Sequence, residues 1–266
     1  MNTIYHCFPG GKFKALTFSY DDGKIYDRQL VDIFNRNGMK GTFNLNSGIM
    51  PTDENRIQPD EVRTLYKGHE VAGHTYTHPT IARCPAPGVV QQVMEDRRLL
   101  EEMVGYPVRG LAYPNGSFSP EIMALLPYAG IRYARTVTST MGFAMPTDYM
   151  AWNPTCHHKR DLLNLGDQFN ALFKKQYLYL MYVWGHSYEF NDDGNWQLME
   201  DFCKKMAFKD DIWYATNIEI AEDEDAFRRL IFTSDLKHVH NPNYRSVWLS
   251  VNNEIVEVKG GAYMTF

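Results

Sequence analysis

The sequence has few cysteines and no long apolar run, and both absences limit where the protein acts. Its four cysteines, Cys7, Cys84, Cys156 and Cys203, lie far apart and form no CxxC pair. We interpret them as reduced, mostly structural thiols. The longest apolar-rich stretch, QYLYLMYVWG, has about half the length that a membrane-spanning helix needs. The N-terminus shows no signal peptide. We therefore expect a cytoplasmic enzyme with no membrane partner, or one whose leader has been removed.

Two binding signatures are also missing. The net charge is -5, with acidic and basic residues mixed along the chain. No Lys/Arg block favours nucleic acid or an anionic lipid surface. No GxGxxG or other glycine-rich phosphate loop follows the first predicted strand. The missing loop argues against nucleotide binding. Because no Lys/Arg block is present, we also expect no nucleic-acid partner.

What the chain does contain is an alternation of strand-like and helix-like segments. Its 266 residues, 44% of them hydrophobic, suffice for one large core. Alternation of this kind favours parallel strands with helical crossovers, either a barrel or an open doubly wound sheet. The strongest amphipathic helix is PGVVQQVMEDRRLLEEMVG, with Val90, Val93, Met94 and Leu100 predicted on one face. The seven predicted strands are 14–20, 41–48, 69–78, 108–114, 131–137, 176–184 and 211–217.

The sequence pattern changes from about residue 219. The stretch SVWLSVNNEIVEVKGGAYMTF alternates apolar and polar residues with a period of two and contains an Asn-Asn turn. We predict a hairpin followed by a last strand. The chain therefore divides into a catalytic α/β domain over 1–218 and a small β appendix over 219–266, packed on the first.

The stretch TFSYDDG places Asp21 and Asp22 at the end of an apolar run. Taken alone, the pair is typical of a turn or a helix N-cap. The stretch GHTYTHP changes that interpretation, because His74 and His78 lie four residues apart and share one side of a strand or helix. The spacer lacks the Glu of the metalloprotease motif, so a base must come from elsewhere. Asp21 could be that base, with Asp22 completing a set of three metal ligands and an open position.

A third histidine ends another apolar run. In YLMYVWGHSYEF the run stops at Gly185, directly before His186. Because the carboxyl ends of parallel strands gather on one face of a barrel, we expect His186 to meet the two aspartates and the two histidines. The alternative is a packing histidine beneath Trp184.

Four of these stretches, LTFSYDDG, GHEVAGHTYTH, LAYPNG and YVWGH, resemble successive motifs of the polysaccharide deacetylase family. This is the NodB-homology group, carbohydrate esterase family 4, and the resemblance spans roughly residues 14–190. It implies a distorted (β/α)7 barrel and hydrolysis of N-acetyl, sometimes O-acetyl, groups on sugars. It also implies a divalent metal, usually zinc, with Co²⁺, Ni²⁺ or Mn²⁺ as alternatives. The implied roles are general base for Asp21, metal ligands for Asp22, His74 and His78, general acid for His186, and an oxyanion-binding backbone amide at Asn115.

The chain departs from the family pattern at several positions. The Arg that usually orients the base is replaced by Ala112. We assign its role to Arg135, with Arg109 and Arg132 as rivals. The Asp that usually tunes the acidic histidine has no obvious counterpart. We interpret His157 and His158 as solvated loop histidines, with a polar site role as the alternative. Trp184 and Tyr188 flank His186 and are candidates for stacking on a sugar, with packing in the core as the alternative.

The sequence therefore predicts a metal-dependent deacetylase that acts on an acetylated amino sugar, oligosaccharide or polysaccharide. One alternative is a hydrolase of another C–N bond, such as a cyclic amide or a formamide. The other is a non-catalytic sugar-binding relative. That second alternative predicts loss of the base or of the ligands, and both are present.

Overall fold

The computed structural model describes residues 2–266 and contains fourteen strands and eight α-helices. The strands are β1 (Ile4–Cys7), β2 (Lys14–Asp21), β3 (Gly41–Leu45), β4 (Glu70–Gly73), β5 (Gly110–Ala112), β6 (Tyr133–Arg135), β7 (Cys156–His157), β8 (Tyr179–His186), β9 (Ile212–Tyr214), β10 (Ile231–Phe232), β11 (His238–His240), β12 (Val247–Val251), β13 (Glu254–Val258) and β14 (Tyr263–Thr265). The helices are α1 (Asp27–Arg36), α2 (Pro59–Leu65), α3 (Ala86–Val104), α4 (Pro120–Leu125), α5 (Leu162–Asn170), α6 (Tyr188–Asp192), α7 (Trp196–Met206) and α8 (Asn217–Arg228).

The central sheet is parallel throughout, and its strand order is β6-β5-β4-β3-β2-β8-β7, with β9 pairing with β2. It curls into a distorted (β/α)7 barrel, which confirms the predicted fold class. Each of the seven predicted strands overlaps one of these strands. The additional strand, β7, has only two residues, too few to give a periodic pattern.

Strand β2 lies at the centre of this sheet and is buried along its whole length. Its first three residues pair with β9, its last four pair with β3, and β8 runs beside it from end to end. Leu16, Phe18 and Tyr20 belong to the largest hydrophobic core, together with side chains from α1 and α7. The alternate residues Thr17, Ser19 and Asp21 are polar. Because successive side chains of a strand point to opposite faces, the apolar residues face the helices and the polar residues lie on the other face, which ends at Asp21.

Helix α3 buries a different face from the predicted one. Val93 and Leu100 are buried as expected, but Val90 is 41% exposed and Met94 is 45% exposed. The prediction is wrong for these two residues because the buried stripe also includes a carboxylate, Asp96. The remaining buried residues of the stripe are Val89 and Val104.

Two small antiparallel sheets accompany the barrel, in the orders β1-β12-β13 and β10-β11-β14. Strands β12 and β13 form the predicted hairpin, and Asn252 and Asn253 adopt the positive φ angles of 52° and 72° that such a turn requires. The N-terminal strand β1 pairs with β12, and α8 crosses the predicted boundary at residue 218. Residues from both ends of the chain thus share one sheet. The division into 1–218 and 219–266 stays a prediction.

Among residues 2–266, the structure has no helix with the length and apolar character needed to span a membrane.

Candidate metal-dependent active site

The site forms where β2 and β8 end side by side. In the parallel register Asp21 pairs with His186 on one side and with Asn44 of β3 on the other. His186 Nε2 lies 4.0 Å from Asp21 Oδ2, and His74 Nε2 lies 3.9 Å from the same oxygen. The strand ends therefore bring together the predicted base, the predicted acid and one predicted ligand.

Asp22, His74 and His78 form a group of potential metal-ligating atoms beside this base. One atom from each residue lies within 4.8 Å of the others. His78 Nε2 is 3.8 Å from Asp22 Oδ1, and the two imidazole rings are 4.7 Å apart at their centroids. Two histidines and one carboxylate are a common donor set for a catalytic divalent metal.

The hydrogen bonding of His74 fits a metal ligand. Its Nδ1–H donates to the backbone oxygen of Ala112 at 2.8 Å, so Nε2 carries the lone pair. Metal-ligating histidines usually make such a bond with the nitrogen that faces away from the metal. Burial lowers the pKa of His74, which favours the neutral imidazole that a metal requires.

Two of the predicted ligands, and the residue after the third, lie on strained backbone. Asp22 has a φ of 79°, Thr75 of 65° and His78 of 56°. Left-handed angles are uncommon for residues with side chains and are rare for a β-branched one. Such conformations cluster at functional sites, where the surrounding structure holds them.

Arg135 contacts the predicted base directly. It is fully buried, and its Nη2 donates to Asp21 Oδ2. In the register of β5 and β6, Arg135 pairs with Ala112, so the neighbouring strand supplies the guanidinium that the motif lacks at position 112. The rivals are engaged elsewhere, since Arg109 pairs with Glu222 and Arg132 pairs with Asp225.

Two donors act on the Asp21 carboxylate. Arg135 binds one oxygen, and Asn44 Nδ2 donates to the other at 2.8 Å. Burial alone would raise the pKa of Asp21, but the positive charge and hydrogen bond of Arg135, together with the nearby His74 and His186 rings, outweigh burial, and the pKa lies below its ordinary value. Asp21 is therefore held as an ionised carboxylate in a buried position.

Glu189 is a site residue that the sequence analysis missed. Its Oε2 accepts from the backbone N–H of His186 at 3.0 Å and from His186 Nδ1–H at 3.2 Å. Burial lowers the pKa of His186, but the bond to Glu189 and the negative charges of Asp21, Asp22 and Glu189 together outweigh burial, and the pKa is raised. Glu189 follows His186 by three residues, at the start of α6. A carboxylate one turn after a strand-end histidine was the available signal.

His157 and His158 are not solvated, so that interpretation is wrong. The ring of His158 is fully buried and stacks on Phe190 with centroids 4.1 Å apart, and burial lowers its pKa to about 3. His157 Nε2 lies 3.0 Å from Glu189 Oε2. His158 is buried and His157 half-buried because β7 pairs with β8 and carries this segment toward the barrel.

These two histidines and Glu189 also lie within ligating distance of one another, but their hydrogen bonds do not fit a metal. The backbone N–H of Lys159 donates to His157 Nδ1 at 3.2 Å. The proton of that ring therefore sits on Nε2, which lies 3.0 Å from Glu189 Oε2. A metal would need the lone pair there instead.

Asn115 and Trp184 occupy different settings. Asn115 has a φ of 56°, and its side chain donates to Thr80 Oγ1 at 3.3 Å. Trp184 is only 9% exposed, and the Arg135 guanidinium lies over its ring at 4.5 Å. That face of the indole is closed to a sugar. Tyr188 is half-buried, 5.2 Å from the His186 ring at the centroids.

Comparison with known proteins agrees with the motifs. Residues 9–134 match the family model described as polysaccharide deacetylase. A chitin deacetylase of Arthroderma benhamiae is 37% identical over 92 residues, which is 34% of this chain and 24% of that protein. The chain thus spans about a quarter of that relative's length.

Two solved structures share the fold. A Mycobacterium smegmatis protein classed as a polysaccharide deacetylase has a TM-score of 0.64 at 17% identity, over 84% of this chain and 94% of that one. An allantoinase has a TM-score of 0.63 at 14% identity, over 81% of this chain and 91% of that one. At these identities the likeness concerns the fold alone.

Proposed function

From the match of residues 9–134 to the polysaccharide deacetylase family model, we propose that the chain is a metal-dependent hydrolase of that family. It removes acetyl groups from an amino sugar, an oligosaccharide or a polysaccharide. The observation that carries the proposal is the juxtaposition of a ligating group, Asp22, His74 and His78, with a base held by Arg135. His186 faces the same base.

Asp22, His74 and His78 would hold the metal. Imidazole and carboxylate donors suit Zn²⁺ best, and Co²⁺, Ni²⁺ or Mn²⁺ would also accept them. When bound, such a metal supplies Lewis acidity toward a carbonyl oxygen and makes water a better nucleophile near neutral pH.

Asp21 takes the proton from the attacking water. Its carboxylate is ionised and oriented by Arg135 and Asn44 before substrate arrives, so no reorganisation is needed at the moment of attack. The oxygen of the water forms a bond to the acetyl carbon. The backbone amide of Asn115 contributes to holding the negative charge that develops on the carbonyl oxygen.

His186 completes the reaction by donating its Nε2 proton to the leaving nitrogen. Nδ1–H donates to Glu189 and the pKa of His186 is raised. Both favour the protonated imidazole that a proton donor requires. The C–N bond breaks as the nitrogen is protonated. The products are a free amine and acetic acid, which ionises to acetate in water. Transfer of the proton held by Asp21 to His186 restores both groups.

Acetate release from N-acetylglucosamine oligomers tests this proposal, beside a panel of simple and cyclic amides. We expect release from the acetylated sugars. Turnover of the cyclic amides alone would favour the other C–N hydrolase. Tight sugar binding with no turnover of any substrate would favour a non-catalytic sugar-binding protein.

A further inference from the structure

Asn46 holds the backbone around one of the predicted ligands. It is fully buried in the loop after β3. Its Nδ2 donates to the carbonyl oxygens of His74 at 2.5 Å and of Thr75 at 2.9 Å. Thr75 is the β-branched residue with a φ of 65°. The two bonds therefore fix the peptide groups on both sides of the strained residue that follows His74.

Arg56 ties a second ligand segment to Asn46. Its Nη1 donates to the backbone oxygen of Asp22 and to Asn46 Oδ1 at 3.0 Å. Its Nη2 lies 3.8 Å from Asp22 Oδ1, so the positive charge faces the ligand without a close bond to it. Arg56 is 7% exposed. The left-handed turn at Asp22 and the loop at His74 are thus joined through one guanidinium and one amide.

Asp96 fixes the same region from α3. Its Oδ1 accepts from the backbone N–H of Ser47 at 2.8 Å and from the Ser47 hydroxyl at 2.7 Å. Its Oδ2 accepts from the backbone N–H of His74 at 3.1 Å. Asp96 is 1% exposed, and this contact explains why the buried stripe of α3 includes a carboxylate.

We propose that Asn46, Arg56 and Asp96 form a positioning bracket that holds Asp22 and His74 in their ligating arrangement before a metal binds. The inference rests on the proposed function, because it takes these two residues to be ligands. The bracket side chains are not ligands themselves. They bind backbone groups on both sides of the site, so that little conformational freedom remains to be lost when the metal binds. Partners of this kind usually change metal affinity by about 10- to 100-fold.

The test measures the Zn²⁺ dissociation constant of the metal-free protein by competition with a chromophoric chelator. Asn46→Ala and Arg56→Met should bind Zn²⁺ about 10- to 100-fold more weakly than the wild type. Arg56→Lys keeps the charge but cannot bind Asp22 and Asn46 in the same way, and it should also lose affinity. This variant keeps the test valid if Arg56→Met fails to fold.

Asn243→Ala is the matched control. Asn243 is also a buried asparagine, and it donates to the Ala226 carbonyl at 2.8 Å, between β11 and β12 and outside the bracket. We expect its removal to lower the Tm of the metal-free protein but to leave the Zn²⁺ dissociation constant unchanged. Unchanged Zn²⁺ binding by Asn46→Ala and Arg56→Lys would overturn the bracket. Equal weakening by Asn243→Ala would overturn it as well. A wild type that binds no Zn²⁺ would instead refute the proposed function itself.

Discussion

Two adjacent aspartates face different partners because the positive φ angle of Asp22 turns its side chain away from that of Asp21. Asp21 ends β2 and points to Arg135 and Asn44. Asp22 has a φ of 79° and turns toward His78. Taken alone, the pair is typical of a turn, and the two histidines that follow in the sequence led to the prediction of a site. The left-handed turn after the strand places one carboxylate at the proposed base position and the other in the proposed ligand group.

Removing the charge of Asp21 should separate catalysis from metal binding. Asp21→Asn keeps the shape of the side chain and leaves the ligand group intact. We expect full metal content and a rate about 10²- to 10⁴-fold lower, the usual loss for a general base. Elemental analysis and acetate release measure the two quantities. Asp22→Asn is the control and should lose metal. Loss of metal from Asp21→Asn would place Asp21 among the ligands.

The role of His186 depends on the leaving group. An amine needs a proton to depart, whereas a phenolate leaves well without one. His186→Ala should therefore lose most activity on N-acetyl sugars, lose much less on an activated aryl acetate, and keep its metal. Kinetics on both substrates provide the measurement. Equal losses on the two substrates would indicate a structural role for His186.

Glu189 sets the proton affinity of His186. Its bond raises the pKa of His186, so Glu189→Gln should lower that pKa. The alkaline limb of the pH–rate profile on an N-acetyl sugar should then move to lower pH, with metal content unchanged. Glu95→Gln, on the exposed side of α3, is the control and should leave the profile as it is. An unmoved alkaline limb in Glu189→Gln would rule out this role.

At the scale of elements, the positions of the strand ends were predictable from the sequence. The packing of neighbouring segments beside those strands was not. Apolar runs that stop at Asp21 and His186 are visible in the sequence, and parallel pairing then places them in register. Arg135 could be proposed because the motif Arg is replaced by Ala112, so that a guanidinium had to come from a neighbouring strand. Glu189, His157 and His158 could not be placed, because their burial depends on how β7 and α6 pack beside β8. The predicted face of α3 failed for a similar reason, since Asp96 is buried by its hydrogen bonds.

Strand β1 is joined to α8 by a buried histidine. His6 Nε2 lies 3.0 Å from Asp223 Oδ2, and Nδ1 lies 3.5 Å from Glu224 Oε2. The ring also stacks on Phe227 at 4.3 Å. Burial lowers the pKa of His6, but the two nearby carboxylates outweigh burial and the pKa is raised above 6.5.

A raised pKa in the folded state makes this contact sensitive to pH. Its contribution to stability is fully present below pH 6.5, the unfolded value, and is lost as pH rises through the folded pKa. The difference in Tm between the wild type and His6→Gln should therefore be larger at about pH 6 than at about pH 8. A difference that is constant or grows with pH would contradict the assignment.

At the scale of the whole molecule, the barrel carries the candidate site. One of the two small sheets joins residues from both ends of the chain. The alternation of segments was enough to predict the barrel. The partnership of β1 with β12 was not predictable, because a four-residue strand at the N-terminus carries little pattern. The separate domain at 219–266 stays a prediction, and α8 runs continuously across its boundary.

The central claim is that a metal held by Asp22, His74 and His78 is needed for deacetylation. Acetate release from an N-acetylglucosamine oligomer, measured as Zn²⁺ is removed by a chelator and then restored, tests it most directly. We predict that the rate falls with metal content and returns when Zn²⁺ is added back, whereas His74→Ala neither retains Zn²⁺ nor recovers activity. A metal-free protein that releases acetate at the full rate, or a His74→Ala protein with a full equivalent of Zn²⁺, would contradict the account.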